Sequence, residues 1–260
     1  MSEQEPSPIL VAKDVTKSFG GLCVVNSMSL DLGPREILGV IGPNGAGKST
    51  LFNLLAGAIP LDGGTIRLGE KDLTNARPEA RIGAGLGRTF QIPRPFARMS
   101  VLENVMTAAQ KQDGERMFAA LATPWRVASQ ERANAARARE LLDFVSLSHL
   151  EDQPASVLSG GQRKLLELAR VLMTEPRVIL LDEPAAGVNP ALLDLIIERI
   201  ADINALGIAV LLIEHNMEMI ARLCPRVIVM AAGKALADGS PAEVTKRADV
   251  VDVYLEGMPA

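Results

Sequence analysis

The segment GPNGAGKS, residues 42–49, decides the fold of this chain. It follows the apolar stretch EILGVI and precedes the helix-forming stretch TLFNLLAG. A glycine-rich loop between a strand and a helix lets successive backbone N–H groups point at a phosphate. Lys48 can then bring a positive charge to the outer phosphates, and the Ser49 hydroxyl can ligate Mg²⁺. The segment therefore predicts a phosphate-binding loop with a nucleotide as its ligand.

A second motif is VILLDEP, residues 178–184, an apolar strand that ends in two carboxylates. Because side chains alternate along a strand, Asp182 and Glu183 should point in different directions. One can hold Mg²⁺ through water, while the other polarises a water that attacks the terminal phosphate. The alternative is an acidic pair that caps the strand in solvent, and the phosphate loop elsewhere in the chain favours the first interpretation.

A third motif is LSGGQRKLLELA, residues 158–169. Ser159 has the position of a helix N-cap, and the glycines after it place backbone donors at the start of the helix. This pattern predicts a second anion-binding site, one more than a single nucleotide needs. A simple junction between a loop and a helix is the alternative.

The rest of the chain predicts an α/β fold. Two alternating apolar runs, residues 9–19 and 22–32, predict a hairpin that turns at the two glycines between them. From about residue 99 to 150, the sequence is rich in Ala, Glu, Arg and Leu and predicts a helical insertion, with breaks at Gly114 and Pro124. Strands then alternate with helices, including helices that start at Pro190 and near Met217, which predicts a sheet with helices on its faces.

The composition excludes several classes of protein. The chain has 260 residues, 48% of them hydrophobic, but its apolar runs are far shorter than the roughly 18 residues of a membrane-spanning helix. The first residues are acidic and do not resemble a signal peptide. Two His and two Cys give little basis for a zinc site, and a net charge of −4 argues against nucleic-acid binding. We therefore expect a cytoplasmic protein.

In chain order, GPNGAGKS, a lone Gln91, LSGGQ, VILLDE and a late His215 resemble the ordered motifs of the ABC ATPases. The resemblance spans nearly the whole chain. It implies one nucleotide-binding domain with a P-loop NTPase core of the ABC type, an antiparallel β subdomain and an inserted helical subdomain. The implied boundaries are about 1–97 and 151–240 for the core with the β subdomain, 98–175 for the helical subdomain with the signature motif, and 241–260 for a C-terminal helical tail.

The same resemblance implies that two such domains meet head-to-tail around two ATP molecules. Glu183 would be the general base, Asp182 the magnesium-associated carboxylate, Gln91 a magnesium and water contact, and His215 the sensor of the γ-phosphate. The implied magnesium contacts are Ser49, Gln91 and Asp182. The implied ATP contacts are Phe19, Gly42, Pro43, Asn44, Gly45, Ala46, Gly47, Lys48, Ser49 and Thr50 toward the chain's own nucleotide, and Ser159, Gly161 and Gln162 toward that of the second subunit.

Three of these positions have alternatives. Phe19 would stack on adenine, but it could instead pack inside the hairpin. A single histidine after a buried strand, such as His215, is otherwise more often structural. Asn189 stands where many ABC ATPases carry Asp, so helix capping is the alternative to a role across the dimer interface.

The stretches GRTFQIPRPFARMSVLENV, FAALATPW, EPAAGVNP, LLIEHNM and VYLEG resemble one subfamily, the larger ATP-binding subunit of bacterial branched-chain amino-acid importers. This implies uptake of leucine, isoleucine and valine, driven from the cytoplasmic face of the inner membrane. The implied partners are permease subunits, a second ATP-binding subunit (similar but non-identical, or a second copy) and, indirectly, a periplasmic solute-binding protein. Urea or other amino-acid uptake and lipopolysaccharide export are the alternatives.

An arginine series surrounds Gln91, namely Arg77, Arg81, Arg88, Arg94 and Arg98. It is either a solvated surface or the surface that receives a cytoplasmic helix of the permease.

Two further classes of protein are disfavoured. A soluble ABC protein acting on nucleic acid would show a second ATPase domain, a coiled coil or a zinc module. A regulatory protein that binds ATP without hydrolysing it would not need Lys48, Asp182, Glu183 and His215 together.

Overall fold

The computed structural model of the chain describes residues 7–89, 94–112 and 124–256. The strands in these ranges are, in chain order, β1 (Leu10–Phe19), β2 (Leu22–Leu32), β3 (Ile37–Ile41), β4 (Gly63–Leu68), β5 (Lys71–Asp72), β6 (Leu86–Arg88), β7 (Val178–Asp182), β8 (Ala209–Ile213), β9 (Arg226–Ala231) and β10 (Lys234–Gly239). The α-helices are α1 (Lys48–Leu55), α2 (Pro78–Ala84), α3 (Val101–Met106), α4 (Pro124–Phe144), α5 (Gly160–Leu172), α6 (Pro190–Ala205), α7 (Met217–Leu223), α8 (Pro241–Val244) and α9 (Ala248–Glu256).

The strands form two sheets. One has the order β2-β1-β4-β5 and is antiparallel, and its first two strands are the predicted hairpin, in which Phe19 pairs with Leu22. The other has the order β10-β9-β3-β8-β7-β6 and is parallel except for β10. A mixed α/β fold with a separate antiparallel sheet and helical segments confirms the predicted fold class.

The central parallel strands β3, β7 and β8 are buried along their whole length. In β7, Val178 and Leu180 belong to the core shared with α1 and the antiparallel sheet, whereas Ile179 and Leu181 belong to the core shared with α5 and α6. A strand covered on both faces needs apolar side chains on both, which is why these segments show no alternation of polar and apolar residues.

The register of these strands determines what lies together beyond their ends. Val40 of β3 pairs with Ile213 of β8, and Ile213 pairs with Asp182 of β7. All three strands run in the same direction, so their carboxyl ends meet at one edge of the sheet. The segments that follow them, each of which carries one of the sequence motifs, are therefore neighbours.

Helices dominate the described parts of the segment between residues 99 and 150, as predicted. Ser100 caps α3 through a reciprocal pair of hydrogen bonds with Glu103, and α4 runs from Pro124 to Phe144. The predicted break at Pro124 coincides with the start of α4, where the fixed φ and missing N–H of proline are tolerated. Gly114 lies outside the described residues, and the exact domain boundaries stay a prediction.

The helices near the end of the chain begin as predicted. The side chain of Asn189 accepts a hydrogen bond from the N–H of Leu192 and caps α6. The carboxylate of Glu243 accepts from the N–H of Ser240 at the start of α8. In the part of the chain that is described, we find no helix of sufficient length and apolarity to cross a membrane.

One member of the arginine series is an internal structural residue. Arg81 on α2 is only 2% exposed. Its guanidinium donates to the carbonyl oxygens of Leu54 and Leu55 at 2.7 and 2.6 Å, and to those of Ala76 and Thr74 at 3.0 and 3.2 Å. The last carbonyls of a helix have no partner within the helix, so Arg81 satisfies the end of α1. The hypothesis of a surface role was wrong for this arginine.

We therefore expect Arg81→Met to lower the free energy of unfolding by about 3 kcal/mol, because buried carbonyl oxygens would lose their donors. The matched control is Arg77→Met, whose exposed side chain should contribute less than about 0.5 kcal/mol. Urea denaturation midpoints at unchanged slope measure the difference. Equal midpoints for the two variants would contradict the role given to Arg81.

Candidate active site

The predicted phosphate loop lies between β3 and α1, at the edge where the parallel strands end. Gly47 is the N-cap of α1 with φ 98°, a left-handed conformation that favours glycine. A Cβ at this position would lie 2.5 Å from the carbonyl oxygen of Val24 on β2. The antiparallel sheet therefore packs directly against the loop, and only glycine fits between them.

An open cleft of about 200 Å³ lies over this loop. Its lining is formed by Val24, Asn44, Gly45, Ala46, Gly47, Lys48, Ser49, Thr50 and Glu183. The cleft thus brings most of the predicted ATP contacts together with the predicted general base. Gly42 and Pro43 lie at the base of the loop, where their carbonyl oxygens accept hydrogen bonds from the Nζ of Lys48 at 2.7 and 2.9 Å.

The half-buried ammonium group of Lys48 would be stabilised by a bound anion. Burial lowers the pKa of its ammonium group, and the carboxylates of Glu183 and Asp182 partly offset this effect. A charged group that has lost hydration water is stabilised by any nearby charge of opposite sign. A phosphate in the cleft would supply that charge, in the way expected of a phosphate loop.

Asp182, the last residue of β7, is 4% exposed. Its Oδ2 accepts a hydrogen bond from Nη2 of Arg88 at 3.1 Å, and Nη1 of Arg88 donates to Oδ1 of Asn53 at 2.7 Å. Burial raises the pKa of the Asp182 carboxyl, and the Arg88 hydrogen bond lowers it. The hypothesis of a surface role was therefore also wrong for Arg88, which is half-buried and holds a predicted site residue.

The other oxygen of Asp182 fits a metal ion. Its Oδ1 is buried and has no hydrogen-bond partner among residues 7–89, 94–112 and 124–256. A buried carboxylate oxygen without a partner is unfavourable, and Mg²⁺ prefers oxygen ligands. Together with the hydroxyl of Ser49 in the cleft, this oxygen suits the predicted magnesium site. Gln91, the third predicted contact, lies outside the described residues.

The predicted base and the predicted sensor are neighbours. Oε1 of Glu183 lies 4.0 Å from Nδ1 of His215, which follows β8 by two residues. The Glu183 side chain is about 20% exposed and that of His215 about 66% exposed. The Glu183 side chain lines the cleft, and the roles of Glu183 and His215 stay predictions.

The LSGGQ segment opens α5 as predicted. The hydroxyl oxygen of Ser159 accepts from the N–H of Gln162 at 3.3 Å, and the Gln162 side chain accepts from the N–H of Ser159 at 2.9 Å. Gly161 is buried, and a Cβ there would lie 1.9 Å from Cδ2 of Leu192 at the start of α6. Contact of Ser159, Gly161 and Gln162 with a second subunit's nucleotide stays a prediction.

Phe19 lies at the end of β1 and is 48% exposed. The Nζ of Lys17 lies 5.5 Å from the centroid of its ring. Because nearly half of its surface is open, the alternative that Phe19 packs inside the hairpin is not favoured. Val24 of the same hairpin lines the cleft, and contact of Phe19 with adenine stays a prediction.

Sequence reasoning missed two polar residues at this site. Nζ of Lys164 on α5 donates to the carbonyl oxygen of Glu183 at 2.6 Å. Glu214, which directly follows β8, is fully buried. A carboxylate directly after the apolar run AVLLI could have marked Glu214, because buried carboxylates are rare unless they are paired.

A phosphate loop at the carboxyl edge of a parallel sheet, beside a strand that ends in two carboxylates, defines a P-loop nucleotide-binding protein. The family model described as "ABC transporter" matches residues 25–186. The chain is 37% identical to a probable branched-chain amino acid transport ATP-binding protein LivG of Archaeoglobus fulgidus, over 95% of each chain. It is 39% identical to a high-affinity branched-chain amino acid transport ATP-binding protein LivG of Salmonella typhimurium, over 95% of this chain and 98% of the relative.

Two solved structures of ATP-binding cassettes are similar to this chain in fold. A nucleotide-free ATP-binding cassette from an ABC transporter matches with a TM-score of 0.82 and 34% identity, over 95% of this chain and 98% of the other. The ADP conformation of an ATP-binding cassette of an ABC transporter matches with a TM-score of 0.81 at the same identity and coverage. The chain belongs to the ABC transporter family, and it is an ATP-binding subunit of the kind that couples ATP hydrolysis to transport.

Lys48→Ala should weaken nucleotide binding by about 100-fold, because charge-assisted hydrogen bonds to phosphate are among the strongest that a protein makes. The matched control is Lys71→Ala in the exposed strand β5, which should bind as the unchanged chain does. Titration of each full-length variant with a fluorescent ATP analogue gives the two dissociation constants. Unchanged affinity in Lys48→Ala would contradict the assignment of the phosphate loop.

Proposed function

We propose that this chain is the ATP-binding and ATP-hydrolysing subunit of an importer for branched-chain amino acids. The observation that carries the hydrolytic part is that Glu183 lines the same cleft as Lys48 and Ser49. A carboxylate at the edge of a phosphate-binding cleft can accept a proton from a water that attacks the terminal phosphate.

In this proposal each site residue has a separate role in binding or hydrolysing ATP. The phosphate loop and Lys48 bind the phosphates of ATP through backbone N–H groups and one positive charge. The carboxylate of Glu183 orients the attacking water and takes its proton, while His215 contacts the terminal phosphate. Ser49 and Asp182 would hold Mg²⁺, together with Gln91, and bound Mg²⁺ supplies positive charge to the phosphate oxygens.

The proposal also includes the partners. A second ATP-binding subunit, similar to this chain or a second copy, would contribute its signature segment to the cleft. Permease subunits would hold both ATPases at the cytoplasmic face of a bacterial inner membrane, and a periplasmic binding protein would deliver the solute. Arg94 and Arg98 are exposed and remain candidates for contact with the permease.

The solute is proposed from the relatives. Proteins named for branched-chain amino acid transport share 35–39% identity with this chain over about 95% of its length. The solute itself does not meet an ATPase subunit, so leucine, isoleucine and valine are assigned through the transporter to which the chain belongs. Urea, other amino acids and lipopolysaccharide are the alternatives, and the uptake measurement below distinguishes urea from the branched-chain amino acids.

Glu183→Gln should lower kcat for ATP hydrolysis by about 100- to 1000-fold, because loss of a general base removes the proton acceptor. Affinity for ATP should be retained, and ATP should trap a dimer that size-exclusion chromatography detects. The control is Glu79→Gln on the exposed face of α2. A normal turnover rate in Glu183→Gln would remove Glu183 as the base.

Proteoliposomes test the solute. They should contain this chain, the permease subunits encoded beside it and the cognate binding protein. With ATP inside, radiolabelled leucine should accumulate at least about tenfold above an ADP control, since each turnover is driven by hydrolysis. Excess isoleucine or valine should compete, and urea should not. Transport of urea, without leucine, would assign the chain to the alternative branch.

A further inference from the structure

The backbone of Glu183 is held in an unfavourable conformation. Its φ is 47°, in the left-handed region that residues other than glycine seldom adopt. The N–H of Glu183 donates to the carbonyl oxygen of Ile213 at 3.0 Å, and its own carbonyl oxygen accepts from Nζ of Lys164 at 2.6 Å. Strain at a site residue persists only where neighbouring contacts enforce it. Lys164 provides one of these contacts.

Glu214 provides contacts on the other side of the same segment. Its Oε1 accepts from the N–H of Ala185 at 2.7 Å, and its Oε2 accepts from the N–H groups of His215 and Asn216 at 2.8 and 2.9 Å. The side chain of Glu214 is fully buried. One carboxylate therefore joins the segment after β7, which carries Glu183, to the segment after β8, which carries His215.

The two residues also support each other electrostatically. Lys164 is half-buried, and burial lowers the pKa of its ammonium group, an effect that the negative charge of Glu214 partly offsets. A buried carboxylate is tolerated when hydrogen-bond donors surround it and a positive charge lies nearby. Lys164 and Glu214 thus enclose residues 183–185, the first at a carbonyl oxygen and the second at an N–H group.

We propose that Lys164 and Glu214 are positioning residues for hydrolysis, which align the carboxylate of Glu183 and the imidazole of His215 toward the phosphate cleft. The inference rests on the proposed function, in which Glu183 is the base. Neither residue needs to touch the nucleotide. Lys164 lies on α5, five residues after its N-cap Ser159, so about 7 Å of one helix also connects the signature segment to the base.

Steady-state hydrolysis in the proteoliposomes described above tests this role. Glu214→Gln keeps the size of the side chain but places an amide group against backbone N–H donors, and Lys164→Met removes the donor to Glu183. Each variant should lower kcat by about 10- to 100-fold, since a misplacement of about 1 Å is enough for such a loss. The KM for ATP, and the affinity of the full-length chain for a fluorescent ATP analogue, should stay within about twofold.

Two further variants separate positioning from stability. Lys164→Arg retains a cationic donor and should recover most of the kcat that Lys164→Met loses, and Lys71→Met is the exposed control. The double variant Lys164→Met with Glu214→Gln should be no more than a fewfold slower than the worse single variant, because both act on the same segment. All rates are expressed per nucleotide-binding site, so that an unfolded fraction does not count as a loss of kcat.

The outcomes are distinct. A wild-type kcat per binding site in both single variants would overturn the inference, as would a loss in Lys164→Met that Lys164→Arg does not recover. If the unchanged chain binds ATP but hydrolyses none in its transporter, the proposed function itself fails, and this inference fails with it.

Discussion

The register of the parallel strands β3, β8 and β7 is the constraint on which the rest of this structure depends. Val40, Ile213 and Asp182 lie side by side across three hydrogen-bonded strands. A shift by one residue would exchange the two faces of a buried strand, and both faces are already filled by different cores. Burial of the strands thereby fixes where the phosphate loop, the carboxylates and the histidine meet.

At that edge of the sheet, buried or half-buried polar side chains are paired through hydrogen bonds. Arg88 donates a hydrogen bond to Asp182, and Lys164 donates one to the carbonyl oxygen of Glu183. Glu214 accepts hydrogen bonds from three backbone N–H groups. A polar or charged side chain without a partner is unfavourable in the interior, and these side chains form hydrogen bonds with one another or with the backbone. Two buried atoms of these side chains have no hydrogen-bond partner within the described ranges, Nε of Arg88 and Oδ1 of Asp182, and an added cation fits at the oxygen.

The motifs could be predicted from the sequence because each combines a local element with a fixed chemical group. Strand, loop and helix around Lys48, the carboxylates after β7 and the N-cap at Ser159 all follow from short-range patterns. Arg81 could not be recognised as internal, because its carbonyl partners lie up to 27 residues away. Glu214 was missed because its three partners come from two loops that only the sheet register brings together. The break at Pro124 could be predicted because proline permits a helix to start at its position but disfavours a helix that continues through it.

Gly161 has a consequence for how sequence variants of this family are interpreted. The absent side chain leaves the space that Leu192 occupies, so α5 and α6 are in direct contact at this point. A natural or engineered replacement of this glycine would push two helices apart before any ligand is present. Loss of activity in such a variant would then report altered spacing within one polypeptide, and it could not be assigned to a lost contact between subunits without an independent measure of helix packing.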